Sequence, residues 1–166
     1  MEEILSAPQI EKKRLLREIT FVSLYALSSG SEVSDELFDF AVEEHSNRTG
    51  KMFLLSEEDR ERLCSAIENV TKKQMDLDAL IQSLLVGWKN ERLPLVDLCI
   101  LRFAVYDLLF NEDVPKNVTI SEAVLLADTF SDEKDKKFIN GVLSSVLSGL
   151  KENGEDAQKL LESVRG

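Results

Sequence analysis

The sequence predicts an all-α fold of about seven helices. Apolar residues recur at helical spacing along the 166-residue chain, and no segment shows the sustained alternation of a strand. Only 7 Gly and 3 Pro are present, which favours long helices. With 43% apolar and 31% charged residues, the composition is typical of a globular protein that buries a sizeable core.

The first helix is predicted in the segment KKRLLREITFVSLYAL, residues 12–27. Leu16, Ile19 and Leu24 mark one apolar face of this segment at helical spacing. Residues 1–11 are charged and lack this pattern. We therefore expect them to form a flexible N-terminal extension.

The next three helices are predicted from capping residues and leucine spacing. Ser34 and Ser56 are each followed by acidic residues, and both features favour a helix N-terminus. The segment DLDALIQSLLVGW, residues 76–88, then carries leucines at helical spacing. Pro94 is expected to open the most apolar helix of the chain, since proline fits the first helical turn.

Two further helices are predicted in the last third of the chain. Thr119 and Glu122 have the spacing of a capping box before an apolar run. Ser131 is expected to start the last clear helix, and an Asn-Gly pair at 153–154 to end it. Residues 151–166 form a charged tail in which only weak amphipathic character indicates a helix.

The net charge of −11 argues against a general nucleic-acid-binding protein, because phosphate contacts require Lys and Arg. Much of this charge is local. Residues 31–61 hold ten acidic and three basic residues, a net charge of −7. Basic residues cluster at 12–17 and again at 134–137, so a local basic surface is compatible with an acidic protein.

No catalytic constellation is evident in the sequence. The glycines near the apolar runs are isolated, and His45 has no cluster of metal ligands around it. Cys64 and Cys99 lie far apart on predicted apolar stripes, which indicates buried free thiols in a reducing compartment. No signal peptide or membrane-spanning segment is visible. We therefore expect a cytoplasmic protein that is not an enzyme and holds no cofactor or metal.

Several short motifs follow one another along the chain. The second half contains LRFAVYDL at 101–108, VP at 114–115, ISEA at 120–123 and KFINGVL at 137–143. The N-terminal segment RLLREITFVSLYAL at 14–27 adds a basic start and a Leu-Tyr pair. In this order the motifs are specific, and the chain resembles the NusB family of bacterial transcription antitermination factors.

The resemblance implies both a fold and a function. It covers residues 12–150 with gaps around 30–60 and implies a single domain of two small helical bundles packed together. Proteins of the family bind the boxA element of nascent RNA together with the ribosomal protein NusE. The pair nucleates an antitermination complex on RNA polymerase that supports ribosomal RNA transcription, without catalysis and away from membranes. Family members occur as monomers and as homodimers.

The resemblance also implies an RNA-binding surface. Basic residues of the first helix would hold phosphates, while aromatic rings would stack on unpaired bases. A lysine-flanked phenylalanine at the start of the last clear helix suits the same task. If Arg14, Arg17 and Phe138 form one surface, the first and last clear helices must be neighbours. The implied RNA-binding residues are Lys13, Arg14, Arg17, Tyr25, Lys134, Lys137 and Phe138.

Each of these assignments has a structural alternative. Lys12 and Lys13 fit a solvated helix start, and Tyr25 fits a half-buried core position. Gly141 fits a site of close helix packing. Glycine within a helix costs about 1 kcal/mol of helix stability relative to alanine, so its presence indicates a packing or contact requirement at that position.

A second function remains open at this point. The chain is also compatible with an acidic, all-helical protein–protein interaction module that does not bind RNA directly. Its charge suits a basic ribosomal protein as partner. Asp97, Asp107 and the acidic segment 31–61 are the candidates to face such a partner.

Overall fold

The computed structural model describes residues 5–85 and 93–165, and all regular structure within these ranges is helical. The all-α prediction is confirmed, with eight helices in place of about seven. The last residues of the predicted helix at 76–88 lie outside the described ranges. The helices are α1 (Ala7–Ser28), α2 (Asp35–Thr49), α3 (Glu57–Lys72), α4 (Gln74–Leu84), α5 (Leu95–Phe110), α6 (Lys116–Phe130), α7 (Glu133–Glu152) and α8 (Ala157–Arg165).

The chain divides into two compact units, Met1–Asn69 and Val70–Gly166, where the sequence suggested one domain over 12–150. α1 begins at Ala7, so it starts within the segment assigned to an N-terminal extension. α8 occupies most of the segment assigned to a charged tail. Among the described residues, no helix combines the length and the apolar character that a membrane crossing needs.

Polar caps explain where several helices begin. Ser34 Oγ accepts a hydrogen bond from the Leu37 backbone N–H at 3.2 Å. Ser56 and Asp59 form a capping box at α3, with N···O distances of 2.9 and 3.0 Å. Both predicted caps are confirmed. Ser6 forms a further capping box with Gln9, which explains why α1 starts earlier than its apolar face.

Two predicted helix starts are wrong. α6 begins at Lys116 because Pro115 occupies its cap position, where proline's fixed φ favours entry into a helix. Thr119 therefore lies inside α6, 1% exposed, and forms no capping box with Glu122. α7 begins at Glu133, and Ser131 instead closes α6.

In the first unit, α1 packs against α2. The apolar side chains that this unit buries include Leu15, Ile19, Phe38 and Ala41, none more than 2% exposed. Leu15 lies between the basic residues Arg14 and Arg17 and is completely buried, so the chain uses this position for the core.

In the second unit, α5 lies at the centre and packs against α4, α6 and α7. It is buried on most of its circumference, as expected for a helix that is apolar all round. Arg102, within the LRFAVYDL motif, is 8% exposed and forms two hydrogen bonds of 2.7 and 2.8 Å with the Asp78 carboxylate. Burial disfavours the charge of Arg102, but the hydrogen bonds and charge attraction of Asp78, with smaller contributions from Cys99, together outweigh it and raise the pKa of the guanidinium. This pair joins α5 to α4.

α8 packs against α4 and α7 in the same unit. Leu160 and Leu161 are buried. A Cβ at Gly149 of α7 would lie 3.2 Å from Leu160 Cδ1, so glycine makes room for the leucine. Arg165 also forms an ion pair with Asp76 of α4. The structure ends α7 at Asn153–Gly154 as predicted, with Gly154 at φ +67°.

Candidate nucleic-acid interface

α1 carries four of the predicted RNA-binding residues, three of them in its basic part and Tyr25 near its C-terminal end. Lys13 and Arg14 are exposed, and Arg17 is half-buried. Arg14 and Arg17 are three residues apart, so they lie on neighbouring positions of one helix face. Tyr25 is 38% exposed, and its ring centre lies 6.5 Å from that of Phe21. The Tyr25 side chain is accessible for stacking, and its role in RNA binding stays a prediction.

Lys12 has a structural task within the first unit. Its Nζ lies 2.7 Å from Asp59 Oδ2, in the capping box of α3. Burial raises the pKa of Asp59, but hydrogen bonds from Lys12 and Ser56 outweigh it, so the pKa is below its ordinary value. The interpretation of Lys12 as a solvated helix start is therefore wrong.

A buried polar cluster in the first unit was not found from the sequence. Glu18 and His45 are 6% and 7% exposed, and His45 Nδ1 lies 3.3 Å from Glu18 Oε1. Arg48 also contacts Glu18 Oε1. The cluster ties α1 to α2 with charged groups, and Glu18 is held between Arg48 and the histidine. The sequence signal for the burial of His45 is its position four residues after the buried Ala41, on the same face of α2.

The N-terminal part of α7 carries the remaining candidates. Lys134 and Lys137 are exposed and Phe138 is half-buried, while Ile139 is completely buried. Lys134 lies three residues before Lys137 and four before Phe138, so the two charges and the ring occupy adjacent positions on the helix surface. The Phe138 ring can stack on an unpaired base, and the two lysines beside it can bind phosphates.

Lys136 differs from its neighbours. Its Nζ lies 2.8 Å from Asp128 and 2.9 Å from Glu133. Hydrogen bonds to Asp128 and then Glu133 raise the pKa of Lys136. Lys136 is thus an internally neutralised lysine beside two exposed ones.

The Asn-Gly pair at 140–141 does not form a turn, because it lies within α7. Both residues are exposed. A Cβ at Gly141 would meet no atom of the described chain within 4 Å. The interpretation of Gly141 as a close-packing site is therefore wrong.

The partner-binding candidates Asp97 and Asp107 are buried, at 0% and 6% exposed. Ser131 Oγ lies 2.5 Å from Asp97 Oδ1 and 3.1 Å from Asp135 Oδ2. Asn111 Nδ2 lies 3.4 Å from Asp107 Oδ1. The prediction that these carboxylates face a partner is wrong. Almost the whole of α5 is buried within the second unit, and both aspartates are among its buried residues.

The Asp97 carboxyl anchors the segment that leads into α7. Burial raises its pKa to about 6, nearby Asp135 and Asp132 add to the effect, and the Ser131 hydrogen bond opposes it. Asp97 Oδ2 has no hydrogen-bond partner among the described residues. Asp97 is therefore a group that positions Ser131 ahead of α7 rather than a contact residue.

Asp97→Asn is expected to raise the melting temperature at pH 7.5. The folded-state pKa lies above the ordinary value, so the stability that Asp97 contributes is present below about pH 4 and is lost as pH rises through about 6. Asparagine keeps an acceptor for Ser131 and removes the buried charge, a gain of about 1–3 kcal/mol. Thermal melts between pH 4 and 8 measure this.

Asp113→Asn is the control for that melt series, since Asp113 is exposed. Its pH profile should match that of the unmodified protein. A constant difference between Asp97→Asn and the unmodified protein at every pH would contradict the proposed titration of Asp97.

The described residues do not contain a group of three or more His, Cys, Asp or Glu side chains that could hold a metal ion. Cys99 is buried as predicted, but Cys64 is exposed. Cys64 follows the buried Leu63 and is turned about 100° away from it around α3, which takes the thiol out of the core.

Comparisons with known proteins agree with the helical architecture and the motifs. The model of the NusB family matches residues 14–148. The transcription antitermination protein NusB of Acetivibrio thermocellus is 37% identical over 135 residues, covering 81% of this chain and 88% of its own. NusB of Bacillus subtilis is 34% identical over 142 residues, covering 86% and 99%. A solved structure of the antitermination factors NusB and NusE in complex with double-stranded RNA aligns with a TM-score of 0.64 at 26% identity, covering 82% of this chain and 96% of that one.

Proposed function

The chain belongs to the NusB family, and on this premise we propose that it is a transcription antitermination factor. It binds boxA-type RNA together with the ribosomal protein NusE and takes part in the antitermination complex on RNA polymerase, where it supports ribosomal RNA transcription. The role is one of binding without catalysis. It is exercised in the cytoplasm, where the nascent transcript is made.

The observation that carries this proposal is the surface at the start of α7. Lys137, the first residue of the family motif KFINGVL, and Lys134 before it are exposed beside the half-buried Phe138, on a protein whose total charge is −11. Local positive charge beside an aromatic ring is what an unpaired RNA segment requires. α1 offers a second set of basic and aromatic side chains. The proposal assigns RNA contacts to each set by itself.

The alternative function, a protein-only module, loses two of its supports. It relied on Asp97 and Asp107 as partner contacts, and both are buried. Salt dependence separates the two functions. Phosphate contacts give a steep fall of RNA affinity as the salt concentration rises. A protein-only role gives weak RNA binding whose affinity hardly changes with salt concentration.

NusE is expected to strengthen the binding of single-stranded boxA-type RNA. The isolated protein should bind only modestly, because few exposed basic residues act against a net charge of −11. Fluorescence anisotropy with the host's ribosomal-RNA leader, with and without NusE, measures the effect. A scrambled RNA of equal length and an RNA duplex are the controls. RNA affinity that NusE leaves unchanged would contradict the proposed function.

A further inference from the structure

The outer face of α2 presents an exposed aromatic ring. Phe40 is 56% exposed, while Phe38 and Ala41 on either side are 1% and 2% exposed. α2 thus uses one phenylalanine in the core and turns the other outward. A single exposed apolar residue is common on protein surfaces, so the surroundings of Phe40 decide whether it has a use.

Those surroundings are acidic. Glu36, Glu43 and Glu44 lie at i−4, i+3 and i+4 from Phe40, which are the neighbouring positions on a helix surface. All three are exposed, and none forms an ion pair with another described residue. The ring therefore lies between carboxylates on both sides along the helix.

The next edge of α2 shows what such carboxylates bind. Asp35 and Asp39 are held by Arg60 of α3, at 2.9 and 2.7 Å. Hydrogen bonding to Asp39 and Asp35 outweighs burial and raises the pKa of Arg60. This arginine is supplied by the chain itself. Around Phe40 the described chain supplies no equivalent cation.

From this arrangement we propose that the face formed by Glu36, Phe40, Glu43 and Glu44 is a docking surface for a basic protein segment. The segment lays an arginine side chain on the Phe40 ring, and its guanidinium donates to the flanking carboxylates. A planar guanidinium can do both at once, because it stacks on a ring and keeps its N–H groups in the plane. Because these residues lie within the acidic segment 31–61, the experiment includes a measurement that separates this segment's occupant from NusE.

Other occupants fit the charges less well. RNA phosphates would be repelled by three carboxylates. A second copy related by a two-fold axis would place the same acidic face against itself. A Lys- or Arg-rich protein segment is the occupant whose charge complements this face.

Titration of the isotope-labelled full-length protein with a basic peptide, followed by NMR, tests the proposal. The probe is a nine-residue peptide of alternating arginine and glycine, and its citrulline counterpart removes the charge at constant shape. The arginine peptide should shift the amide signals of α2 around Phe40, and the citrulline peptide should not. Phe40→Ala should weaken binding by about two- to fivefold, the range of an exposed cation–π contact.

Matched variants locate the effect. Phe40→Leu keeps an apolar side chain and should lose as much affinity as Phe40→Ala if the ring face is the contact. Glu43→Gln should also weaken binding, whereas Glu112→Gln, an exposed acid of the second unit, should not. Equal affinity of Phe40→Ala and the unmodified protein, or signal shifts spread over both units, would overturn the proposal.

Two further measurements separate this proposal from the proposed function. NusE-dependent RNA binding should be the same for Phe40→Ala and the unmodified protein, and a loss there would assign the face to NusE and overturn a separate docking surface. Sedimentation equilibrium should show the same mass for both proteins. A dimer that Phe40→Ala dissociates would make a second copy the occupant and would also overturn the proposal.

Discussion

Phe38→Ala is expected to lower the free energy of unfolding by about 3–5 kcal/mol. Phe38 is 1% exposed. It lies on α2, and this helix packs against α1. Truncation removes a ring from a packed core and leaves a cavity that neighbouring side chains fill only in part. Denaturation by urea, followed by circular dichroism, measures the change in stability.

Phe40→Ala is the matched control, two residues further along the same helix. With 56% of Phe40 exposed, its truncation should change the unfolding free energy by less than about 1 kcal/mol. If Phe38→Ala does not fold, Phe38→Leu provides the measurement, with an expected loss of about 1–2 kcal/mol. Equal losses for the Phe38 and Phe40 variants would contradict the orientation of α2.

Lys134→Ala combined with Lys137→Ala is expected to cause the largest loss of RNA binding. Both lysines are exposed on α7. If each holds one phosphate of a single strand, the slope of log affinity against log salt should fall by about 1.4 in total. Anisotropy titrations at several salt concentrations, with NusE present, measure the slope.

Two neighbouring positions provide the comparison. Lys136→Ala should leave the slope nearly unchanged, because Asp128 and Glu133 already neutralise this lysine. Phe138→Ala should weaken binding by roughly 1–3 kcal/mol with an unchanged slope, as expected for lost stacking. A slope that falls equally for Lys136→Ala would show general electrostatic attraction in place of defined phosphate contacts.

Local features were predicted well from the sequence. Ser34 and Ser56 cap helices as expected, and Pro94 stands at the cap of α5. These features depend on a few consecutive residues, and their energetics are decided within one helical turn. Thr119 shows the limit of such rules. Pro115 also satisfies the rules for a helix start, and α6 begins directly after it.

Features that depend on packing were predicted less well. Asp97 and Asp107 were assigned to a surface because carboxylates are usually exposed. Both lie on a helix that is apolar all round, and this local pattern already indicates burial of its few charged residues. Glu18 and His45 are 27 residues apart and meet only when α1 and α2 pack together. Such pairs form through tertiary contacts, and the spacing of residues along a single sequence does not predict these contacts.

The packing of α8 against α4 has a consequence for the order of events during synthesis. α4 is complete at Leu84, but α8, which covers it, ends at Arg165. At about 5–20 residues per second, a ribosome needs about 4–16 s to translate the intervening segment. During this interval the α4 surface that α8 covers has no permanent cover. The second unit therefore completes its packing only after α8 has been synthesised, and nascent chains that stop before Leu160 should expose this apolar surface of α4.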